Sequence, residues 1–150
     1  NIYNLINDRS NVPDPNDSVG KRKFVYTREP NYKSRNFLGF PLIIISDNQY
    51  SQRNAVASAT KSFTTDNLNI IVIAQDKSSD GRGNPQGRET LATISNNIIK
   101  TINTNRASLR NNGLKNFAVD STDFDWVEMN GKPTFRRVFP ISFNQIRTTT

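Results

Sequence analysis

The stretch Leu68–Thr104, LNIIVIAQDKSSDGRGNPQGRETLATISNNIIKTINT, decides how this chain folds. It opens on Ile70, Ile71, Val72 and Ile73, a β-branched run that predicts a strand buried on both faces. A polar loop over Asp76–Gly87 follows, carrying Gly81, Gly83, Gly87 and Pro85. Beyond Gly87 the period changes. Leu91, Ile94, Ile98 and Ile102 recur at helical spacing and form one stripe. Arg88, Asn96, Lys100 and Asn103 fall on the other faces, open to water or a partner. From Arg88 to Thr104 the helix is about 25 Å long at ~1.5 Å per residue. No other helical pattern in the chain is as long, so this helix is expected to cover the sheet.

Working toward the N-terminus, Phe40–Asp47, FPLIIISD, is the second strong strand, with Pro41 near its start where a missing donor is tolerated. Gln49–Asn54 is polar and turn-like. Ala55–Phe63 alternates Val56, Ser58, Thr60 and Ser62 against Ala55, Ala57, Ala59, Lys61 and Phe63. It reads as a strand pairing with Leu68–Gln75 through a turn at Thr64–Asn67, with a short Ala-rich helix as the other reading. Lys23–Arg28 is a short strand. Pro30–Gly39 is loop, with Tyr32 and Phe37 folding back onto the core. Asn11–Gly20, with its prolines and glycine, is loop. Ile2, Tyr3, Leu5 and Ile6 mark a shorter N-terminal helix.

Toward the C-terminus, Leu109 continues the helical stripe, and Asn111-Asn112-Gly113 supplies a stop, so the helix is expected over about 88–110. Lys115–Thr122 and Asp123–Glu128 read as strands. Asn130-Gly131 is a two-residue hairpin turn, because both positions tolerate positive φ. Thr134–Ile146 alternates Phe135, Arg137, Phe139, Ile141 and Phe143 against polar neighbours, and Pro140 argues for a bulge or an edge position. Strands outnumber helices and neighbours are joined by turns. The expected fold is α+β: a mostly antiparallel sheet with the long helix on one face.

At 150 residues this is one domain, with extended loops at about 9–22, 29–39 and 76–87. Only 34% of residues are hydrophobic and the mean hydropathy is -0.66, but the apolar residues are clustered rather than diluted. No apolar run approaches the ~18 residues of a spanning helix, so no membrane partner is expected. No signal-peptide pattern follows Asn1.

The chain contains neither Cys nor His. That removes thiolate nucleophiles, disulfides, the commonest general base and the commonest transition-metal ligand. Ser-His-Asp triads and zinc hydrolase sites are excluded. Gly81–Gly87 sits between strand and helix, as a phosphate loop does, but Arg88-Glu89 stand where a Walker-type loop needs Lys and Ser or Thr. The dinucleotide pattern fails as well: Gly87 is four residues after Gly83 instead of three. Pro85 also deletes a backbone donor. The carboxylates of Asp120–Glu128 lack EF-hand spacing and surround Trp126, which fits a solvent-facing hairpin better than a cation site. No catalytic, cofactor-binding or metal residue is assigned, and no cofactor is expected.

The net charge is +7, with a pI near 10.0. Arg82, Arg88, Lys100, Arg106, Arg110 and Lys115 face only Glu89 over the same stretch, while Asp120, Asp123, Asp125 and Glu128 make an acidic patch. Aromatics are not interleaved with the basic residues along the chain, as stacking platforms for nucleic acid would be. Solvated charge or docking on an acidic protein surface is the better fit.

The segments FPLIIIS, NIIVIAQD, RETLATISNNIIKTINTNRASLRNNGL and PTFRRVFPISFNQI, in that order, resemble the tail terminator proteins of long-tailed phages and related viruses. These are also called tail completion or head–tail joining proteins. The resemblance covers about Leu5–Ile146. It implies a structural virion protein without enzymatic activity, assembled in the host cytoplasm. Such a protein forms a ring, usually a hexamer, that caps the tail tube, stops its growth and meets the neck or head connector. The partners implied are the chain itself, the tail tube protein, the connector and DNA passing through the lumen. Lys77, Arg82, Arg88, Arg136 and Arg137 are then the expected subunit or partner contacts. The alternatives are a basic nucleic-acid-binding module and, further off, a small phosphate- or nucleotide-using enzyme built on Gly81–Gly87.

Overall fold

The Ile-rich runs form the middle of one mixed sheet in the computed structural model, which describes residues 2–17, 22–53, 61–77, 86–111, 114–119 and 122–148. The strands are β1 (Val25–Tyr26), β2 (Leu42–Arg53), β3 (Lys61–Gln75), β4 (Leu114–Val119), β5 (Asp123–Met129) and β6 (Lys132–Thr148). Their order is β1-β2-β3-β6-β4, and β5 lies beside β4 on the same flank of β6. Every pairing is antiparallel except β1 with β2. The helices are α1 (Ile2–Asn7), α2 (Gly87–Thr104) and α3 (Arg106–Asn111). The α+β class expected from sequence is the class observed.

Both faces of the sheet are covered at residues 42–45 and 70–74, as these unbroken apolar runs require. On one face Ile43, Ile45, Leu68, Ile70, Val72, Phe139 and Ile141 meet the stripe of α2, in which Leu91, Ile94, Ile98 and Ile102 are at most 2% exposed. Burying each of those side chains contributes about 1.5–3 kcal/mol. Arg88, Asn96, Lys100 and Asn103 lie on the solvent side, as the spacing predicts. On the other face Leu42, Ile44 and Ile73 are capped by Tyr32, Phe37 and Phe40, whose rings pack edge-on and stacked on one another. The loop before β2 thus replaces a second helical layer.

Three expectations about the strands are corrected. Thr64–Asn67 is not a turn: β3 runs through it, and its partner there is β2, from Gln49 to Gln52. Of the residues read as turn-like, 49–54, residues 49–53 are therefore strand, and a register shift between Asp47 and Gln49 absorbs the polar interruption. Polar composition misled here, because an antiparallel ribbon can face water where a turn is expected to. Of the strand expected at Ala55–Phe63, residues 61–63 belong to β3 and 54–60 lie outside the described residues. Pro140 causes neither a bulge in the β3 pairing nor an edge strand; β6 is central and Pro140 pairs with Asn69 in unbroken register. It falls between Val138, the last partner of β5, and Ile141, the first of β4, where the flank of β6 changes neighbours and no ladder donor is missed.

The expected helix over 88–110 is divided at Asn105. Its backbone N–H and its side-chain amide both donate to the Thr101 carbonyl, at 3.1 and 2.8 Å. A side chain that competes for backbone partners ends the helical run. α3 restarts at once and turns Leu109, 1% exposed, into the core.

Ser95 projects from α2 into that core, 4% exposed, and its hydroxyl finds no hydrogen-bond partner among the described residues. Ser95→Ala is expected to stabilise the fold by about 1 kcal/mol, through relief of desolvation and better helix propensity. A rise in the urea midpoint at unchanged slope checks it.

Candidate interaction surface

The hairpin after α3 builds the most exposed apolar patch among the described residues. Asn130 and Gly131 both take positive φ, 55° and 74°, and close β5 onto β6 with Met129 opposite Lys132. Every residue from Asp123 to Glu128 is exposed. Trp126 is 62% exposed, Val127 56% and Phe124 39%. Among the described residues β5 pairs with β6 alone, and its outer edge presents N–H and C=O groups that no described strand meets.

Alternation divides this strand between two faces. Phe124, Trp126 and Glu128 stand on the helix side, opposite Arg137, Phe135 and Pro133. There the Phe124 ring stacks on Phe135 at 6.2 Å, with the Arg88 guanidinium 5.4 Å from Phe124 and 5.6 Å from Phe135. The Arg137 guanidinium lies 5.5 Å from the same Phe124 ring. Among the described residues neither arginine has a carboxylate partner. Arg137 donates a long bond to Thr122 Oγ1, at 3.4 Å, and its buried Nε has no acceptor among the described residues. Arg88 is also the second residue of α2, where the helix dipole already favours negative charge. Two guanidiniums therefore converge on one aromatic ring, one of them from the first turn of a helix.

On the opposite face Arg136 grips Asp125 with two bonds, Nε–Oδ1 at 3.0 Å and Nη2–Oδ2 at 2.6 Å. These hydrogen bonds hold the Asp125 carboxyl below its ordinary value and raise the Arg136 guanidinium above its own. A carboxyl lowered in the fold stabilises above its unfolded value and loses that contribution as pH falls through the folded one. The two side chains are 48% and 58% exposed, so the pair contributes no more than about 1 kcal/mol. Asp125→Asn is thus expected to lower the urea midpoint slightly at pH 7, and the difference from wild type is expected to shrink as pH falls through the folded-state value of the carboxyl.

Of the five contacts expected from sequence, Arg88 and Arg137 come together on Phe124, and Arg136 is already answered by Asp125. Lys77 is exposed at a cleft of about 270 Å³ between β3 and α2, beside Asp76, Gln86 and Lys132. Arg82 and residues 78–85, most of the glycine loop, lie outside the described residues. Asp76 is the sole carboxylate among the described lining residues of that cleft, and it accepts the Gly87 N–H at 3.0 Å. The carboxylates of the hairpin diverge, Asp123 and Asp125 to one face and Glu128 to the other, and no metal-binding cluster occurs among the described residues.

Sequence reading missed the aromatic half of this surface. Phe124 and Trp126 are distant from Arg88 in the chain, and only cross-strand pairing interleaves them with arginines. The available signal was DFDWVEM itself, which alternates acid and apolar residues and so leaves large side chains on whichever face is open. No helix of the described residues is long and apolar enough to cross a membrane. Searches of protein-family models and of curated proteins find no match to this chain.

Proposed function

We propose that the chain is a structural subunit of a virion, a ring-forming tail terminator that caps the tail tube and meets the neck or head connector. The observation that carries this reading is the ribbon of β2, β3 and β6. β3 has 15 residues, about 50 Å at ~3.3 Å per residue. α2 has 18, about 27 Å at ~1.5 Å per residue. The helix cannot cover the strands along their length, so a long polar sheet extends past it. A wedge with such an extension can bury surface against identical neighbours, and contacts that repeat by rotation close into a ring. Immunogold labelling and electron microscopy of particles test this. Label at the junction of tail and neck is the expected result; a protein absent from particles, or one within the capsid shell, ends the reading.

One observation favours a second reading, direct nucleic-acid binding. Arg88, Arg137, Phe124 and Trp126 combine cations with open rings, the elements of a base-stacking platform. That reading requires affinity for single-stranded DNA that falls steeply with salt. Fluorescence anisotropy at two salt concentrations separates it from the ring.

A further inference from the structure

We propose that the open edge of β5 pairs with β5 of a second copy, antiparallel and centred on Trp126, so that each copy's Glu128 enters the other's Arg88–Arg137 site. The edge has the right backbone groups. In a two-residue hairpin the residues flanking the turn form a hydrogen-bonded pair, here Met129 with Lys132. Bonding then alternates, so Asp125 and Val127 point their N–H and C=O groups at β6, while Phe124, Trp126 and Glu128 point theirs outward. A second β5 centred on Trp126 meets all three outward positions with its own.

The side chains select this register. Phe124 comes opposite the partner's Glu128, on the face where two guanidiniums have no carboxylate among the described residues. Asp125 comes opposite the partner's Val127, and Asp123 opposite the partner's Met129, so no two acids oppose. Centring on Asp125 instead sets it against its own copy, a like-charge pair that destabilises the sheet. Centring on Val127 moves the partner's Glu128 away from the arginines to Trp126. Only the Trp126 register covers the aromatic pair, neutralises the site and removes an exposed edge at once.

The contact is two-fold and stands apart from the head-to-tail contacts of a ring, so either can fail without the other. Sedimentation of the purified chain over a concentration series is expected to move from 17.0 kDa toward twice that mass. Glu128→Arg or Arg137→Glu alone is expected to weaken the dimer about tenfold or more, and the double charge swap to restore it. The chain has no Cys, so single introduced thiols read the register cleanly. Trp126→Cys sets two thiols on a hydrogen-bonded pair about 5.5 Å apart between Cα atoms, within the ~4.4–6.8 Å a disulfide spans. It is expected to oxidise to a covalent dimer. Asp123→Cys leaves its two copies about 20 Å apart at ~3.3 Å per residue, and is expected not to. Circular dichroism confirms that each variant folds. A chain that stays at 17.0 kDa throughout, equal crosslinking at both positions, or a ring that forms without crosslinking at Trp126, overturns the proposal.

Discussion

Asp14→Ala is expected to destabilise the fold by about 3–5 kcal/mol, the cost of breaking a buried ion pair from one side. The Asp14 side chain is fully buried and that of Arg22 is 13% exposed. The two meet in a fork, Nε–Oδ2 at 2.8 Å and Nη2–Oδ1 at 2.9 Å. Arg22 reaches further, donating to the carbonyls of Gly39 at 3.0 Å and Pro41 at 2.7 Å. One guanidinium therefore ties the N-terminal loop to the segment that enters β2, and its face lies 5.7 Å from the Phe24 ring. Removing the carboxylate leaves that enclosed cation with the Gly39 and Pro41 carbonyls and the Phe24 ring in place of its bidentate ion pair. Lys at position 22 is not equivalent, because it lacks the planar fork that satisfies a carboxylate and two carbonyls together. Urea unfolding of Asp14→Ala, Arg22→Ala and the double variant checks this. The coupling energy is expected to exceed about 1 kcal/mol, as for contacting groups in one network; additive losses would mean that the pair is not the tie.

That tie was not legible in the sequence, and the reason is physical. Asn11–Gly20 reads as loop by its prolines and polarity, and its described part, residues 11–17, is loop. Nothing in its pattern says that Asp14 is 5% exposed, because burial of a charge depends on a partner arriving from another part of the chain. Periodic signals are local and survive. Ile70–Ile73, the stripe from Leu91 to Ile102, the Asn130-Gly131 turn and the alternation from Phe135 to Phe143 each gave their element and their face. The failures occurred where polarity stood in for periodicity. Thr64–Asn67 and Gln49–Gln52 are polar, yet each supplies the other's ladder partners. The interaction surface was half visible for the same reason: charges show in a sequence, while the exposure of Trp126 appears only once β5 is placed at a flank.

The second large effect runs against a propensity rule. Gly→Ala inside a helix normally stabilises by about 1 kcal/mol, but Gly87→Ala is expected to destabilise by about 2–4 kcal/mol. Gly87 opens α2 directly beneath the end of β3. A methyl group there would lie 2.5 Å from Asp76 Oδ1, 2.9 Å from Phe135 Cδ2 and 3.0 Å from the Asp76 nitrogen. None of these can yield cheaply. Asp76 is 7% exposed, its carboxylate accepts the Gly87 N–H at 3.0 Å, and its own N–H donates to the Pro133 carbonyl at 2.9 Å. The added carbon forces overpacking, which costs about 1–3 kcal/mol, and displaces a carboxylate that caps the helix for about 1 kcal/mol. Asp76 thus does from across the loop what Gln86, at the N-cap with φ of 41° and no side-chain cap bond, does not. Two further variants separate these terms. Asp76→Ala alone should cost about 1–2 kcal/mol through the cap. In that background Gly87→Ala should cost clearly less than in the wild type, because the nearest obstacle has gone. Equal losses in both backgrounds would place the strain on Phe135 instead, and a stabilised Gly87→Ala would mean that α2 does not start against Asp76.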